Sequence, residues 1–164
     1  MDFDNKTVYI LDSYGLIYRC YYAFISRPMI NSKGQNVSAT FGFFKSLAQI
    51  FKHYNPNYLI AALDSKTPTY RHKMYTEYKA TRDKTPEDLF AQIDVIEEFL
   101  KVLNVPTIRL DGYEADDLIA TFVKKCNDQG HPCRILSADK DLMQLVDENT
   151  QILKPSKDNT GAGW

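Results

Sequence analysis

Three cysteines, Cys20, Cys126 and Cys133, are all that 164 residues carry. The number is odd and no Cys-x-x-Cys pair occurs, which argues against a disulfide framework and a structural zinc site and points to a reducing, cytoplasmic setting. The three histidines, His53, His72 and His131, form no ligand spacing and read as structural or surface residues. No apolar run reaches the roughly 18 residues a membrane span needs. The polar, acidic start Met1–Lys6 has no apolar stretch of the kind a signal peptide requires. An excess of charge is missing too: 20 basic against 21 acidic residues leave a net charge of −1. No overall basic field announces nucleic acid, so charge placement has to carry any such argument. No repeat or low-complexity tract is present. What remains is 44% apolar residues in a length that suits one domain, enough to bury roughly 70% of the unfolded surface.

Four short apolar runs read as buried strands: Val8–Leu11, Tyr58–Leu63, Thr107–Leu110 and Arg134–Leu136. A weaker fifth is Gln151–Leu153. Helical spacing lies between them. Tyr14–Ile25 carries it, and Ser38–Lys52 carries it more clearly, with Phe41, Phe44, Leu47, Ala48 and Phe51 on one stripe and Ser38 as cap. Pro86, after Thr85, opens a helix through Leu89, Ile93, Ile96, Phe99, Leu100 and Leu103. Another starts near Glu114 and stops by Gly130. Strands alternating with helices predict an α/β fold with a mainly parallel sheet covered on both faces. Strand order cannot be read from this pattern.

Acidic residues occur where the strands end. Asp12 follows the first run and Asp64 the second; Glu114, Asp116 and Asp117 lie just beyond the third, and Asp139 and Asp141 just beyond the fourth. In an open parallel sheet those ends share one edge, where ligands bind. Seven carboxylates in one crevice repel unless cations neutralise them. An all-oxygen set suits Mg²⁺ or Mn²⁺ rather than zinc, and two such ions about 3.5–4 Å apart commonly drive phosphodiester cleavage. Each acid alone has an ordinary reading: Asp116 and Asp117 as acids at a helix start, Asp139-Lys140-Asp141 as a solvated loop, Asp12 as a turn residue. The convergence of all four ends favours a shared site.

Two segments break the alternation, the polar loop Arg27–Val37 with Pro28 and Gly34 and then the longer stretch 65–85, and the second is the more charged. It carries Lys66, Arg71, Lys73, Lys79, Arg82 and Lys84 against Glu77 and Asp83, with Tyr70, Tyr75 and Tyr78 interleaved. A basic, aromatic stretch in a neutral chain suits nucleic acid, although exposed basic runs are often only solvated. Few large aliphatic side chains anchor the segment, which predicts mobility. Arg19, one or two turns after Asp12, can reach a phosphate or pair with an acid.

Specific stretches carry a resemblance. They are Leu11-Asp12-Ser13 with Tyr18-Arg19, Asn31-Ser32-Lys33-Gly34 leading to Phe41-Gly42, Tyr70-Arg71, Tyr78-Lys79-Ala80-Thr81-Arg82 and Thr85-Pro86-Glu87-Asp88-Leu89. Most specific are Gly112-Tyr113-Glu114-Ala115-Asp116-Asp117 and Ser137-Ala138-Asp139-Lys140-Asp141, followed by Gln144-Leu145. The chain resembles the N-terminal 5′-nuclease domain of bacterial DNA polymerase I, and more broadly the flap endonucleases and phage 5′-exonucleases, over residues 7–155. The resemblance implies a PIN-like three-layer sandwich over residues 1–155, with residues 65–85 as a helical arch and 156–164 as a polar tail. It implies a divalent-metal-dependent 5′-3′ exonuclease and flap endonuclease of replication and repair. Asp12, Asp64, Glu114, Asp116, Asp117, Asp139 and Asp141 would bind Mg²⁺ or Mn²⁺, with Asp64 and Asp116 central to the chemistry. Lys79 and Arg82 would grip the 5′ strand, Tyr78 would stack on a nucleotide, and Arg19 and Arg71 would contact DNA. The implied partners are DNA with 5′ ends, flaps or nicks and a polymerase domain in the same chain; no membrane is involved and a monomer is expected. Family members continue into a helix–hairpin–helix with two further aspartates, which nothing after Leu153 matches. A truncated nuclease with an incomplete second metal site is therefore expected. A weakly active DNA-binding fragment and a PIN-type ribonuclease are the alternatives. A haloacid-dehalogenase-type phosphatase would need an aspartate at position 14, where Tyr14 stands.

Overall fold

A computed structural model describes residues 6–80 and 84–156. In chain order the elements are β1 (Val8–Asp12), α1 (Ser13–Ala23), α2 (Ser38–Tyr54), β2 (Tyr58–Ala62), α3 (Tyr70–Met74), α4 (Glu87–Val102), β3 (Thr107–Ile108), α5 (Ala115–Asp128), β4 (Cys133–Leu136), a 3-10 helix (Asp141–Leu145) and β5 (Thr150–Leu153). The five strands form one sheet in the order β3-β2-β1-β4-β5, and every pairing is parallel. All five runs read from the sequence are strands. Only two residues of Thr107–Leu110 pair, with β2, which is the one strand beside β3 among the described residues.

Side chains alternate across a strand, and β1 divides the core accordingly. Leu11 and Leu136 face a cluster with Ile17, Phe43, Ile50, Leu89, Ile96 and Leu100, supplied by α1, α2 and α4. Ile10 and Ile135 face a second cluster with Ile119, Val123 and Leu142, under α5. A sheet buried on both faces requires strands without polar alternation, as Val8–Leu11 and Tyr58–Leu63 show.

Two details of α2 differ from the sequence reading. The expected apolar stripe included Phe41 and Phe51, yet these are 44% and 41% exposed. The buried stripe runs instead through Ala39, Gly42, Phe43, Ser46, Leu47 and Ile50. Packing against α1 selects that face, because at Gly42 the two helices come close. Ser38 does not cap the helix either: Val37 holds that position, while the Ser38 hydroxyl accepts the Met29 amide (2.9 Å) and donates to Asn36 Oδ1 (2.7 Å). At the other end Asn55 closes α2 with φ of 41°, its amide bonded to the Phe51 carbonyl. Gly130 stops α5 as expected, with φ of 71°.

A β-carbon at Gly42 would lie 2.7 Å from Cys20 Cβ and 2.9 Å from its sulfur. Cys20 is fully buried and cannot yield. Gly42→Ala should therefore cost about 1–3 kcal/mol of stability, read as a lower urea midpoint at unchanged m-value. No helix among the described residues is long and apolar enough to cross a membrane.

Candidate metal centre

Asp12 ends β1 and caps α1. Its Oδ1 accepts the Gly15 amide at 3.0 Å and its Oδ2 accepts the Ser137 hydroxyl at 2.7 Å. Glycine is required at 15 because a β-carbon there would run into the Asp12 carboxylate. Ser137 follows β4, and its oxygen also accepts the Asp139 amide at 3.0 Å. Asp139 in turn accepts the Asp141 amide at 2.9 Å where the 3-10 helix begins. One hydroxyl thus ties the ends of β1 and β4 together. Sequence reasoning gave Ser137 no role. Its signal was the two-residue spacing to Asp139, which suits a serine turn.

Asp64 lies two residues beyond β2. Its Oδ1 accepts the Ala115 amide at 2.7 Å, at the first residue of α5. An anionic group at a helix start is stabilised by the free amides and the dipole there. Glu114 precedes that helix and Asp116 lies in its first turn.

Six of the seven expected carboxylates, Asp12, Asp64, Glu114, Asp116, Asp139 and Asp141, line one cleft of about 290 Å³ at the carboxyl edge of the sheet. Asp117 turns aside. Its Oδ2 accepts the Glu114 amide at 3.0 Å, and both its oxygens take Arg71 at 2.7 Å. Arg71, expected to contact DNA, is committed to this carboxylate and lies 3.5 Å from Glu114. The pairing holds the Asp117 carboxyl below its ordinary range and raises the Arg71 guanidinium above its own. Lys79 Nζ lies 2.7 Å from Glu114 Oε1, and the Tyr78 hydroxyl donates to Glu114 Oε2 at 3.1 Å. The basic segment therefore reaches back onto the acids through Arg71, Tyr78 and Lys79, and part of it forms α3. Arg19 donates to the Ser156 carbonyl at 2.6 Å, and its Nη1 is buried with no hydrogen-bond partner among the described residues. Arg82 lies outside the described residues.

Burial raises the Asp12 carboxyl despite the bonds from Ser137 and Gly15, and the charges of Asp64 and Asp139 raise it further. Asp116 is pushed up to about 6, by burial first and then by Asp12, Asp139, Asp64 and Glu114. These acids thus share one electrostatic field, and a cation is the natural relief for it. As the side chains stand, no three acidic, imidazole or thiol groups among the described residues are drawn together closely enough to clasp an ion. Protein donors hold them instead: Lys79 on Glu114, Arg71 on Asp117, amides and Ser137 on Asp64, Asp12 and Asp139. The donor set still fits a hard divalent cation, being all oxygen and short of positive charge around Asp116.

The fold recurs in phage T5 5′-exonuclease with zinc bound, at a TM-score of 0.63 and 21% identity over 90% of this chain and 55% of that one. By sequence the chain is 52% identical to DNA polymerase I of Treponema pallidum over 151 residues, which is 92% of this chain and 15% of that protein. It is 42% identical to a 5′-3′ exonuclease of Aquifex aeolicus over 153 residues, 93% of this chain and 52% of that protein. The chain thus spans about half, or far less, of the length of these relatives. The sequence profile of the 5′-3′ exonuclease N-terminal, resolvase-like domain matches residues 7–162, so the chain belongs to that family.

Proposed function

We propose that this chain is the metal-binding part of a nuclease that hydrolyses DNA phosphodiesters at 5′ ends, nicks or flap junctions. The observation that carries the reading is the single cleft onto which four strand ends deliver six carboxylates, with Asp116 pushed up to about 6. Asp12, Asp64, Asp116 and Asp139 would hold Mg²⁺ or Mn²⁺, with Glu114 and Asp141 at the margin and Asp117 acting through Arg71. When bound, divalent cations supply an activated water and neutralise charge developing on the phosphate. Lys79 would leave Glu114 for the scissile phosphate and stabilise its transition state together with Arg82. Tyr78 would release Glu114 to stack on a base. The products would be a 5′-phosphate and a 3′-hydroxyl. Relatives support the reading: one is named a 5′-3′ exonuclease and another DNA polymerase I, and a T5 D15 flap endonuclease variant was crystallised with DNA and metal ions. The module would span residues 1–155, with 65–85 as the arch, and would work in the bacterial cytoplasm as a monomer alongside a polymerase domain.

A labelled 5′-flap duplex tests the proposal directly. Cleavage in Mg²⁺ or Mn²⁺, abolished by EDTA and absent on the matched RNA flap, supports it. DNA binding that persists in EDTA without cleavage in Mn²⁺ would instead mark a binding module, and preferential RNA cleavage a ribonuclease.

Ser137→Ala should weaken Mn²⁺ affinity about 10- to 100-fold, the usual cost of losing a group that orients a ligand. Paramagnetic titration measures it. Unchanged affinity would remove Ser137 from the site.

A further inference from the structure

Glu97 is a buried acid on α4, 8% exposed, and the metal reading makes no use of it. Its carboxylate faces Arg109, just past the end of β3. Arg109 Nη1 donates to Glu97 Oε2 at 3.0 Å, and Nη2 bonds Glu97 Oε1. Nη2 also lies 3.4 Å from the Tyr14 hydroxyl, and Tyr14 donates to Glu97 Oε1 at 3.4 Å. The remaining donor, Nε, points to the Asp64 main-chain carbonyl at 2.7 Å.

That last bond occurs where the backbone ladder ends. The final rung is the Leu63 amide on the Ile108 carbonyl at 2.9 Å. One residue further along, the chain has left β2 and turns to deliver Asp64 to the cleft. The guanidinium plane takes over from the ladder at that point. Its carboxylate-facing edge fixes its orientation, because the paired donors of an arginine fork lock onto both oxygens of Glu97. Its side chain is 22% exposed and that of Glu97 10%, so water competes weakly for either partner. Tyr14, two residues after Asp12, brings α1 into the same cluster.

We infer that Arg109, held by Glu97 and Tyr14, is a positioning residue that sets the main chain of Asp64 and thereby the metal cleft. This inference rests on the proposed nuclease reading. An ion pair that served stability alone would not need its third donor on the backbone of a candidate ligand. Lysine cannot replace arginine here, because a single ammonium cannot hold a carboxylate and a carbonyl in one fixed plane.

Four variants test it: Arg109→Met, Arg109→Lys, Asp64→Asn, and Arg109→Met combined with Asp64→Asn. Mn²⁺ affinity is followed by paramagnetic titration, and Tm is recorded without metal. Arg109→Met should weaken Mn²⁺ binding about 10- to 100-fold. Arg109→Lys should keep the charge pair with Glu97, and most of the Tm, yet lose affinity to a similar degree. If Arg109→Met does not fold, the lysine variant carries the test. In the Asp64→Asn background, Arg109→Met should weaken binding by less than about threefold, because residues acting through one another are not additive. Wild-type affinity in Arg109→Lys, or an undiminished effect of Arg109→Met in the Asp64→Asn background, would overturn the inference. Should Asp64→Asn alone leave Mn²⁺ binding untouched, the reading of the cleft as a metal site fails first, and this inference with it.

Discussion

Asp116→Asn should lower 5′-flap cleavage by about a thousandfold or more while raising the stability of the metal-free protein. The two effects have one cause. Burial and the surrounding charges of Asp12, Asp139, Asp64 and Glu114 oppose ionisation of Asp116. That crowding is unfavourable in the metal-free fold and useful to a cation. An amide removes the repulsion and also a negative ligand. Cation catalysis is worth several kcal/mol of transition-state stabilisation, and each 1.36 kcal/mol is tenfold in rate, which sets the size of the loss. The stability gain should appear as a higher Tm, at about 2–4 °C for each kcal/mol in a chain of this length. Stabilisation gained at the expense of activity marks a functional acid. A variant that lost activity and stability together would indicate damage to the fold instead.

The second large effect is on pH dependence. A carboxyl whose folded value is raised binds an extra proton in the native state. Its stabilising contribution is complete below the unfolded value of 3.8 and is lost as pH rises through the folded value. For Asp116 that loss runs from 3.8 up to about 6, and Asp12 is raised in the same sense. Glu97 and Asp117 have the opposite sign. Burial pushes Glu97 up, but Arg109 and Lys66 together outweigh it and hold it low; Arg71 holds Asp117 low. Their contributions stand above the unfolded carboxyl values and fade only as pH falls below them. Between about pH 5 and 6 the acids of the cleft therefore dominate the carboxylate balance. Urea unfolding without metal should show stability falling across that window. Saturating Mg²⁺ binds the ionised form and should flatten or reverse the slope. The same falling slope with and without Mg²⁺ would mean that the cation does not engage these carboxylates.

Several parts of this arrangement were legible in the sequence, for identifiable reasons. Asp12 and Asp64 come directly after continuous apolar runs, so their placement followed from strand ends alone. Glu114 and Asp116 could be placed by the helix that starts beside them. Strand order could not, because β1 pairs with both β2 and β4 through contacts some 50 and 125 residues apart, which no local pattern encodes. The α2 face was misjudged at Phe41 and Phe51 because a periodic apolar helix offers more than one stripe. Only the close approach of Gly42 to Cys20 decides between them. The resemblance gave Arg71 a DNA contact, but no local pattern could show its pairing with Asp117, 46 residues away. Arg109 and Glu97 showed no signal beyond charge inside apolar segments. Their meaning depends on Asp64, which the fold alone brings to them.

Anomalous diffraction from crystals equilibrated with Mn²⁺ tests the central claim most directly. The predicted result is an ion coordinated among Asp12, Asp64, Asp116 and Asp139, with the side chains drawn inward and Lys79 displaced from Glu114. A clean map with no ion in that cleft, or Mn²⁺ ordered only on another face of the protein, would contradict it.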